Sequence, residues 1–199
     1  MLESIGNTIA AALSDLPFVS RAGGLTELVD VQNGENRQRI PGAKGYRETD
    51  GVFTGKPEDI ASMAPDGSET CITFVDVPSD IQVDETHRIY SILNVRFRVV
   101  VWFDERKIDF EGENDKPGRL TQEIINTVKG LNFTVFKKHR TTFESISVDA
   151  GRIWSAYNFK PDDALFVAPY RTFAITFRAK AWYFPACDVP VIETKDVCY

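Results

Sequence analysis

Residues 89–103 read Ile-Tyr-Ser-Ile-Leu-Asn-Val-Arg-Phe-Arg-Val-Val-Val-Trp-Phe, and the fold is organised around this stretch. Its odd positions are Ile89, Ser91, Leu93, Val95, Phe97, Val99, Val101 and Phe103, apolar everywhere but Ser91. The even positions include Tyr90, Asn94, Arg96, Arg98 and Trp102. Side chains of a strand point alternately to its two faces, so the pattern predicts one long strand with a core-facing side. It recurs from Thr172 to Phe184, where Phe173, Ile175, Phe177, Ala179, Ala181 and Tyr183 stand at odd positions. Arg178, Lys180 and Trp182 stand at even ones. Two long strands with matching polar faces are expected to be neighbours in one sheet.

Working outward, Leu120, Ile124, Ile125, Val128 and Leu131 recur at helical spacing. Asp115 is a candidate N-cap, Pro117 falls in the first turn and Gly130 fits a C-cap, so helix 119–130 is expected across the odd-residue face of the sheet. Leu2, Ile5, Ile9, Leu13 and Leu16 form a second amphipathic pattern at the start, ending at Asp15-Leu16-Pro17 because proline disfavours helix in the residue before it. Packing on the chain's own sheet and packing on a neighbouring subunit are both open to it.

Asn33-Gly34 is a strong hairpin signal, and Thr26–Gln32 and Glu35–Ile40 are read as its arms. Residues 41–70 are polar and rich in Gly, Pro, Asp and Lys, with at most a short helix at Glu58–Met63. So long a section with little regular structure is unusual inside a compact domain, and it reads as an insertion or arm. Cys71–Val77 is a strand closed by Pro78, and residues 79–88 lead as a loop into the central strand. Farther on, Asn132–Lys138 and Phe143–Asp149 are expected as paired strands joined by a basic turn, Lys137–Arg140. Arg152–Phe159 carries Trp154, Tyr157 and Phe159, and Leu165–Val167 precedes the final strand. Residues 185–199 look like an extended tail. The expected class is α+β: a mostly antiparallel sheet of long strands with an N-terminal helix and one central amphipathic helix, in a single domain spanning 1–199.

The 199 residues carry 23 basic and 29 acidic side chains, a formal net charge of −6. That balance argues against a general nucleic-acid binder, which must neutralise phosphates. No run approaches the ~18 apolar residues of a membrane span, and the start lacks signal-peptide features, so a soluble protein made in the cytoplasm is expected. Cys71 lies in an apolar run and reads as a buried small hydrophobe. Cys187 and Cys198 flank a short C-terminal segment and could pair, but two free thiols are the expectation in a reducing compartment.

Chemical motifs are not found. Two histidines, His87 and His139, make no zinc ligand set, and no G-x-S-x-G nucleophile motif occurs. The carboxylates Asp109, Glu111, Glu113 and Asp115 alternate after the central strand, but an EF-hand needs glycine sixth and glutamate twelfth. Counted from Asp109, glycine is fourth and Thr is twelfth, so this is a solvated acidic loop. No catalytic, cofactor or metal residues are assigned. What stands out is a basic–aromatic face: Arg96, Arg98, Arg178 and Lys180 with Trp102 and Trp182, residue types enriched in protein interfaces. A helix of the same chain covering the tryptophans is the alternative.

The order of elements resembles that of the tail terminator (tail-completion) proteins of tailed bacteriophages. The resemblance covers roughly 1–40 and 89–184 and is carried by element order and strand–helix spacing, with the long Val95–Phe103 and Tyr170–Phe184 strands around helix Leu120–Leu131. Residues 41–70 and the tail depart from it. It implies a non-enzymatic virion protein without cofactor, forming a ring of expected sixfold symmetry. Such a ring sits at the head-proximal end of the tail tube, contacts tube and neck proteins, and leaves a channel through which DNA passes without specific binding. A neck or head–tail connector ring is the nearest alternative, and a small cytoplasmic enzyme or ligand-binding domain is the alternative of another class. In a ring, the basic–aromatic face is expected to meet an adjacent subunit's acidic loop: Asp104, Glu105, Asp109, Glu111, Glu113 and Asp115.

Overall fold

A computed structural model describes residues 2–33, 36–44, 46–48, 53–54, 60–65, 67–76, 82–86, 91–110, 115–131, 138–155, 157 and 168–183. The stretch that organises the sequence forms the central strand β8 (Ser91–Asp104), and the second amphipathic stretch forms β10 (Tyr170–Tyr183). They pair antiparallel without a register shift, from Tyr170 opposite Asp104 to Tyr183 opposite Ser91. Directly opposed residues share a face, so Phe97 meets Phe177 and Val99 meets Ile175 on the odd side. The two phenylalanine rings stack with centroids 5.5 Å apart.

Helix α2 (Lys116–Lys129) lies on that face, as its periodicity predicts, and buries Leu120, Ile124 and Val128 against Val95, Phe97, Val99 and Phe177. Asp115 caps it by accepting the Gly118 N–H at 3.0 Å. Gly130 ends the helix in a right-handed conformation, φ −78°, so its freedom to adopt positive φ is not what stops the helix. Helix α1 (Leu2–Ser14) packs beside it, with Ile5, Ile9 and Leu13 in the same core. Of the two partners open to α1, it has its own sheet. The approach is close: a Cβ on Gly6 would lie 2.5 Å from the Leu25 backbone nitrogen.

The hairpin expected at Asn33-Gly34 is present but longer. β1 (Arg21–Asn33) pairs antiparallel with β2 (Asn36–Lys44) and then β3 (Tyr46–Glu48) in one continuous register, from Asn33 opposite Asn36 to Arg21 opposite Glu48. The root of β1 also runs parallel to β6 (Cys71–Asp76), with a register shift between Ala22 and Leu25. Gly23 sits in that shift because a Cβ there would meet Met63 Sδ at 2.6 Å and Ala43 Cβ at 2.9 Å. β4 (Phe53–Thr54) pairs with β3 and β5 (Ile60–Ser62) with β2. β7 (Gln82–Thr86), β9 (Lys138–Ser147) and helix α3 (Ala150–Trp154) complete the description, and the main sheet runs β4-β3-β1-β6-β8-β10-β9. The fold is α+β, with a mostly antiparallel sheet.

Four expectations are corrected. Residues 41–70 carry more regular structure than expected: they supply the end of β2 and then β3, β4 and β5. Proline, glycine and charge there do not prevent strand, because β1 and β5 flank the Gly42–Lys44 end of β2 and β1 and β4 flank β3, supplying their backbone partners. Ile60–Ser62 is strand where Glu58–Met63 was expected as helix, and the Met63 N–H donates to the Pro41 carbonyl at 2.8 Å. Lys138, His139 and Arg140 belong to β9, opposite Trp182, Ala181 and Lys180, rather than to a turn, because the length of β10 offers them a ladder. Gln82–Thr86 pairs with β8 where a loop was expected. The expected strand Asn132–Lys138 (but for Lys138), Leu165–Val167 and the tail 185–199 lie outside the described residues.

The sheet has a second core, on its even face. Ile72, Phe74, Val100, Trp102 and Ala174 pack under Ile153, Trp154 and Tyr157, with Met63 and Ala43 joining from the hairpin side. Asp149 caps α3 by accepting the Arg152 N–H. The Trp154 indole donates to Thr172 Oγ1 at 3.1 Å, and that hydroxyl donates to the Val101 carbonyl at 2.9 Å. The half of β8 nearest Asp104 is therefore buried on both faces, whereas Arg96 and Arg178 lie exposed on the other half. Among the described residues, no helix is long and apolar enough to cross a membrane.

Phe97→Ala or Phe177→Ala should each cost about 3–5 kcal/mol in denaturant unfolding, since each empties the centre of the odd-face core. Gly6→Ala should also destabilise, by about 1–3 kcal/mol, although alanine favours helix intrinsically. A neutral or stabilising Gly6→Ala would mean that α1 does not pack against β1 as described.

Candidate interaction surface

The even side of β8 and β10 follows directly from the ladder: Arg96 stands opposite Arg178, Asn94 opposite Lys180 and Trp102 opposite Thr172. The arginines have acidic partners in their own chain. Glu144 accepts from Arg96 Nε at 2.9 Å through one carboxylate oxygen and from Arg178 Nε at 2.6 Å through the other. A β-bulge aims it there. Thr176 pairs with Ser145 and Phe177 with Phe143, so Glu144 is the extra residue, and a bulge re-aims side chains. Arg98 pairs with Asp76, its directly opposed neighbour on β6. Lys180 is exposed. Lys138 and Arg140 occupy register positions opposite Trp182 and Lys180.

Trp102 is fully buried by its own chain, 0% exposed, so it offers no area to a partner. Its cover is α3 and the hairpin side, not the N-terminal helix, because α1 occupies the opposite face. The Trp102 ring stacks on Tyr170 at 5.2 Å, the Arg106 guanidinium lies 5.3 Å from the Tyr170 ring, and Asp104 holds Arg106. The side chain of Trp182 lies outside the described residues.

The acidic loop also serves its own fold. Asp104 is buried and accepts from Arg106 Nε at 2.9 Å, its Nη2 at 2.7 Å and its backbone N–H at 3.0 Å. Those side-chain hydrogen bonds hold the Asp104 carboxyl below the usual carboxylate range, against the opposing effect of burial. Glu105 pairs with Arg171 at 3.2 Å, and Asp115 is the cap of α2. Asp109 is exposed, while Glu111 and Glu113 lie outside the described residues. The pairings thus join acidic and basic groups within one subunit.

Two further features were not read from the sequence. The first is apolar: the exposed large hydrophobic side chains among the described residues are Leu28 (52%), Phe143 (39%), Ile146 (44%) and Val148 (77%). Three of these lie on β9 or just past its end, and β9 is the last strand of the sheet order. The alternation of Ile146 and Val148 is visible in the sequence, but its lack of cover is not. The second is an open cleft of about 420 Å³ between the end of α1 and the start of α2. Leu16, Phe18, Ile108 and Phe110 give it apolar walls, and Arg119 lies over the Phe110 ring at 4.8 Å. Among the described residues no His/Cys/Asp/Glu group is arranged to hold a metal ion. Cys71 is buried, which raises its thiol pKa well above the ordinary value and leaves it inert.

The chain matches no protein-family model and no curated protein.

Asp104 supplies one pH test. Its folded-state pKa is lowered, so its contribution is present at neutral pH and is lost as pH falls through the carboxylate range. Asp104→Asn should lower stability at neutral pH, and the difference from wild type should shrink on acidification. A constant difference would exclude the linkage. Tyr157 supplies the opposite sign, because burial raises its phenol to about 12. Its contribution is complete below the ordinary tyrosine range and is lost as pH rises towards that value. Absorbance titration of wild type against Tyr157→Phe should show one phenol that ionises late, and early ionisation would contradict its burial.

Proposed function

We propose that this chain is a non-enzymatic structural subunit of a phage virion, a tail terminator that forms a ring at the head-proximal end of the tail tube. The observation that carries the reading is architectural. Two long strands pair through their full length, one amphipathic helix lies across them, and an N-terminal helix and hairpin precede them, which is the element order on which the resemblance rests. The exposed apolar side chains at the β9 edge add support, since a ring subunit must present surface to its neighbours. The ring is sixfold, meets tube and neck proteins and leaves a channel for DNA. A net charge of −6 suits a wall that DNA passes without being held. A neck or connector ring shares these supports.

A reading of another class, a small ligand-binding domain, is favoured by the cleft at Phe18, Phe110 and Arg119, whose volume is in the range of small-molecule sites. Thr70, Lys107, Asp109, Arg119 and Glu123 add polar and charged groups of both signs to its lining. The ring reading accounts for more of the chain.

Mass measurement and negative-stain imaging of the purified chain, alone and with tail tubes, separate the two. Closed rings of one stoichiometry, or rings capping one end of the tube, are the expected result. A chain that stays monomeric in both settings would sink the ring reading.

A further inference from the structure

The open cleft between the end of α1 and the start of α2 has an apolar wall that the fold holds in place. The Phe18 and Phe110 rings meet edge to face at 5.5 Å, and Ile108, in the same lining, is buried. Two lysines pin the segment that carries Ile108, Asp109 and Phe110. Lys107 Nζ donates to the carbonyls of Gly67, Ser68 and Glu69 at 3.0, 2.8 and 3.3 Å. Lys116 Nζ donates to those of Glu105 and Ile108 at 3.3 and 2.6 Å. An ammonium has three N–H donors, so those of Lys107 are all taken by the fold. Arg119 lies over the Phe110 ring at 4.8 Å, and its five N–H donors give it capacity for a ligand beyond its own contacts. The opposite sign comes from Glu123, one turn farther along α2 on the same face, and from exposed Asp109. Neither carboxylate has an ion-pair partner among the described residues. Two basic and two acidic side chains leave the lining neutral as a whole while keeping both signs.

We propose that this cleft binds a free α-amino acid with an aromatic or large apolar side chain. The lining answers each part of such a molecule. The Phe18–Phe110 wall takes the side chain, Arg119 takes the α-carboxylate, and Glu123 with Asp109 takes the α-ammonium. A ligand of a single charge meets a repelling group here: a carboxylic acid faces Asp109 and Glu123, and an amine faces Arg119 and Lys107. A zwitterion satisfies both signs at once. The volume of about 420 Å³ lies towards the small end of ligand sites, which run from about 300 to 1,000 Å³, and so suits one amino acid better than a large cofactor. The inference rests on the ligand-binding reading of the cleft and is independent of ring formation.

Isothermal titration calorimetry of the full chain at neutral pH tests this with four probes. L-phenylalanine should bind with a Kd of about 1 mM or tighter, the scale open to so few heavy atoms. 3-Phenylpropionate lacks the ammonium, 2-phenylethylamine lacks the carboxylate and glycine lacks the side chain, and each should bind at least about 10-fold more weakly. Arg119 is exposed, Glu123 half-buried and Asp109 exposed, so their amide variants should stay folded by circular dichroism. Arg119→Gln should weaken phenylalanine about 10-fold and leave 2-phenylethylamine no weaker. Asp109→Asn combined with Glu123→Gln should weaken phenylalanine to a similar degree and leave 3-phenylpropionate no weaker. Binding of 3-phenylpropionate or 2-phenylethylamine as tight as that of phenylalanine overturns the amino-acid assignment and keeps the cleft as a ligand site. Phenylalanine binding that neither set of substitutions changes places the site elsewhere and overturns the inference. Absence of binding by all four probes overturns it together with the ligand-binding reading. If, in addition, the substitutions weaken ring assembly, the cleft receives a neighbouring subunit, and the ring reading stands while this inference falls.

Discussion

The unbroken ladder between β8 and β10 is the constraint on which the rest of this structure depends. Both strands are 14 residues long, and every residue of one has a partner in the other. A shift of a single residue would carry Val95, Phe97 and Val99 to the face now held by Arg96 and Arg98. The apolar odd positions make that shift prohibitive, because α1 and α2 would lose the surface against which Ile5, Ile9, Leu120 and Ile124 are buried. Each such side chain contributes about 1.5–3 kcal/mol when removed from water. Register, helix placement and the odd-face core are thus one decision made cooperatively.

The even face shows how the same ladder separates two environments along one pair of strands. Near Asp104, Val100, Trp102 and Ala174 meet α3 and Met63, so the sheet is covered on both sides. Nearer Ser91 the ladder places Arg96 beside Arg178, two like charges that need a carboxylate between them. Glu144 occupies that place through the bulge in β9. Pairs this exposed contribute little to stability, about 0–1 kcal/mol each, and their role is to keep the face in one arrangement. The exposed large apolar side chains among the described residues lie elsewhere, three of them on β9 or just past its end. There, Phe143 touches Phe177 with one side of its ring and remains partly exposed on the other.

What the sequence determined by itself was whatever depends on local periodicity. The long strands, both amphipathic helices, the Asp115 cap and the hairpin at Asn33-Gly34 are all written at spacings of two, of three to four, or in a two-residue turn. Asp149 followed by Ile153, Trp154 and Tyr157 carried the signal for α3, a cap and an apolar face, in a segment short enough to be passed over.

What only the tertiary structure decided was every feature that depends on a neighbour distant in the chain. No local signal makes strands of Ile60–Ser62 or of Lys138–Arg140; the open ladders of β2 and β10 do, by satisfying backbone groups that water would otherwise hold. Nor can alternation say whether a tryptophan at an even position is wet or dry. Trp102 is dry because α3, some fifty residues later, folds back over it. The partners of Arg96, Arg98 and Arg178 were equally out of reach, since Glu144 and Asp76 come to them across the sheet and, for Glu144, by way of a bulge. Periodicity records which face of an element is apolar; which element covers that face is fixed by burial and hydrogen bonding among residues far apart in sequence.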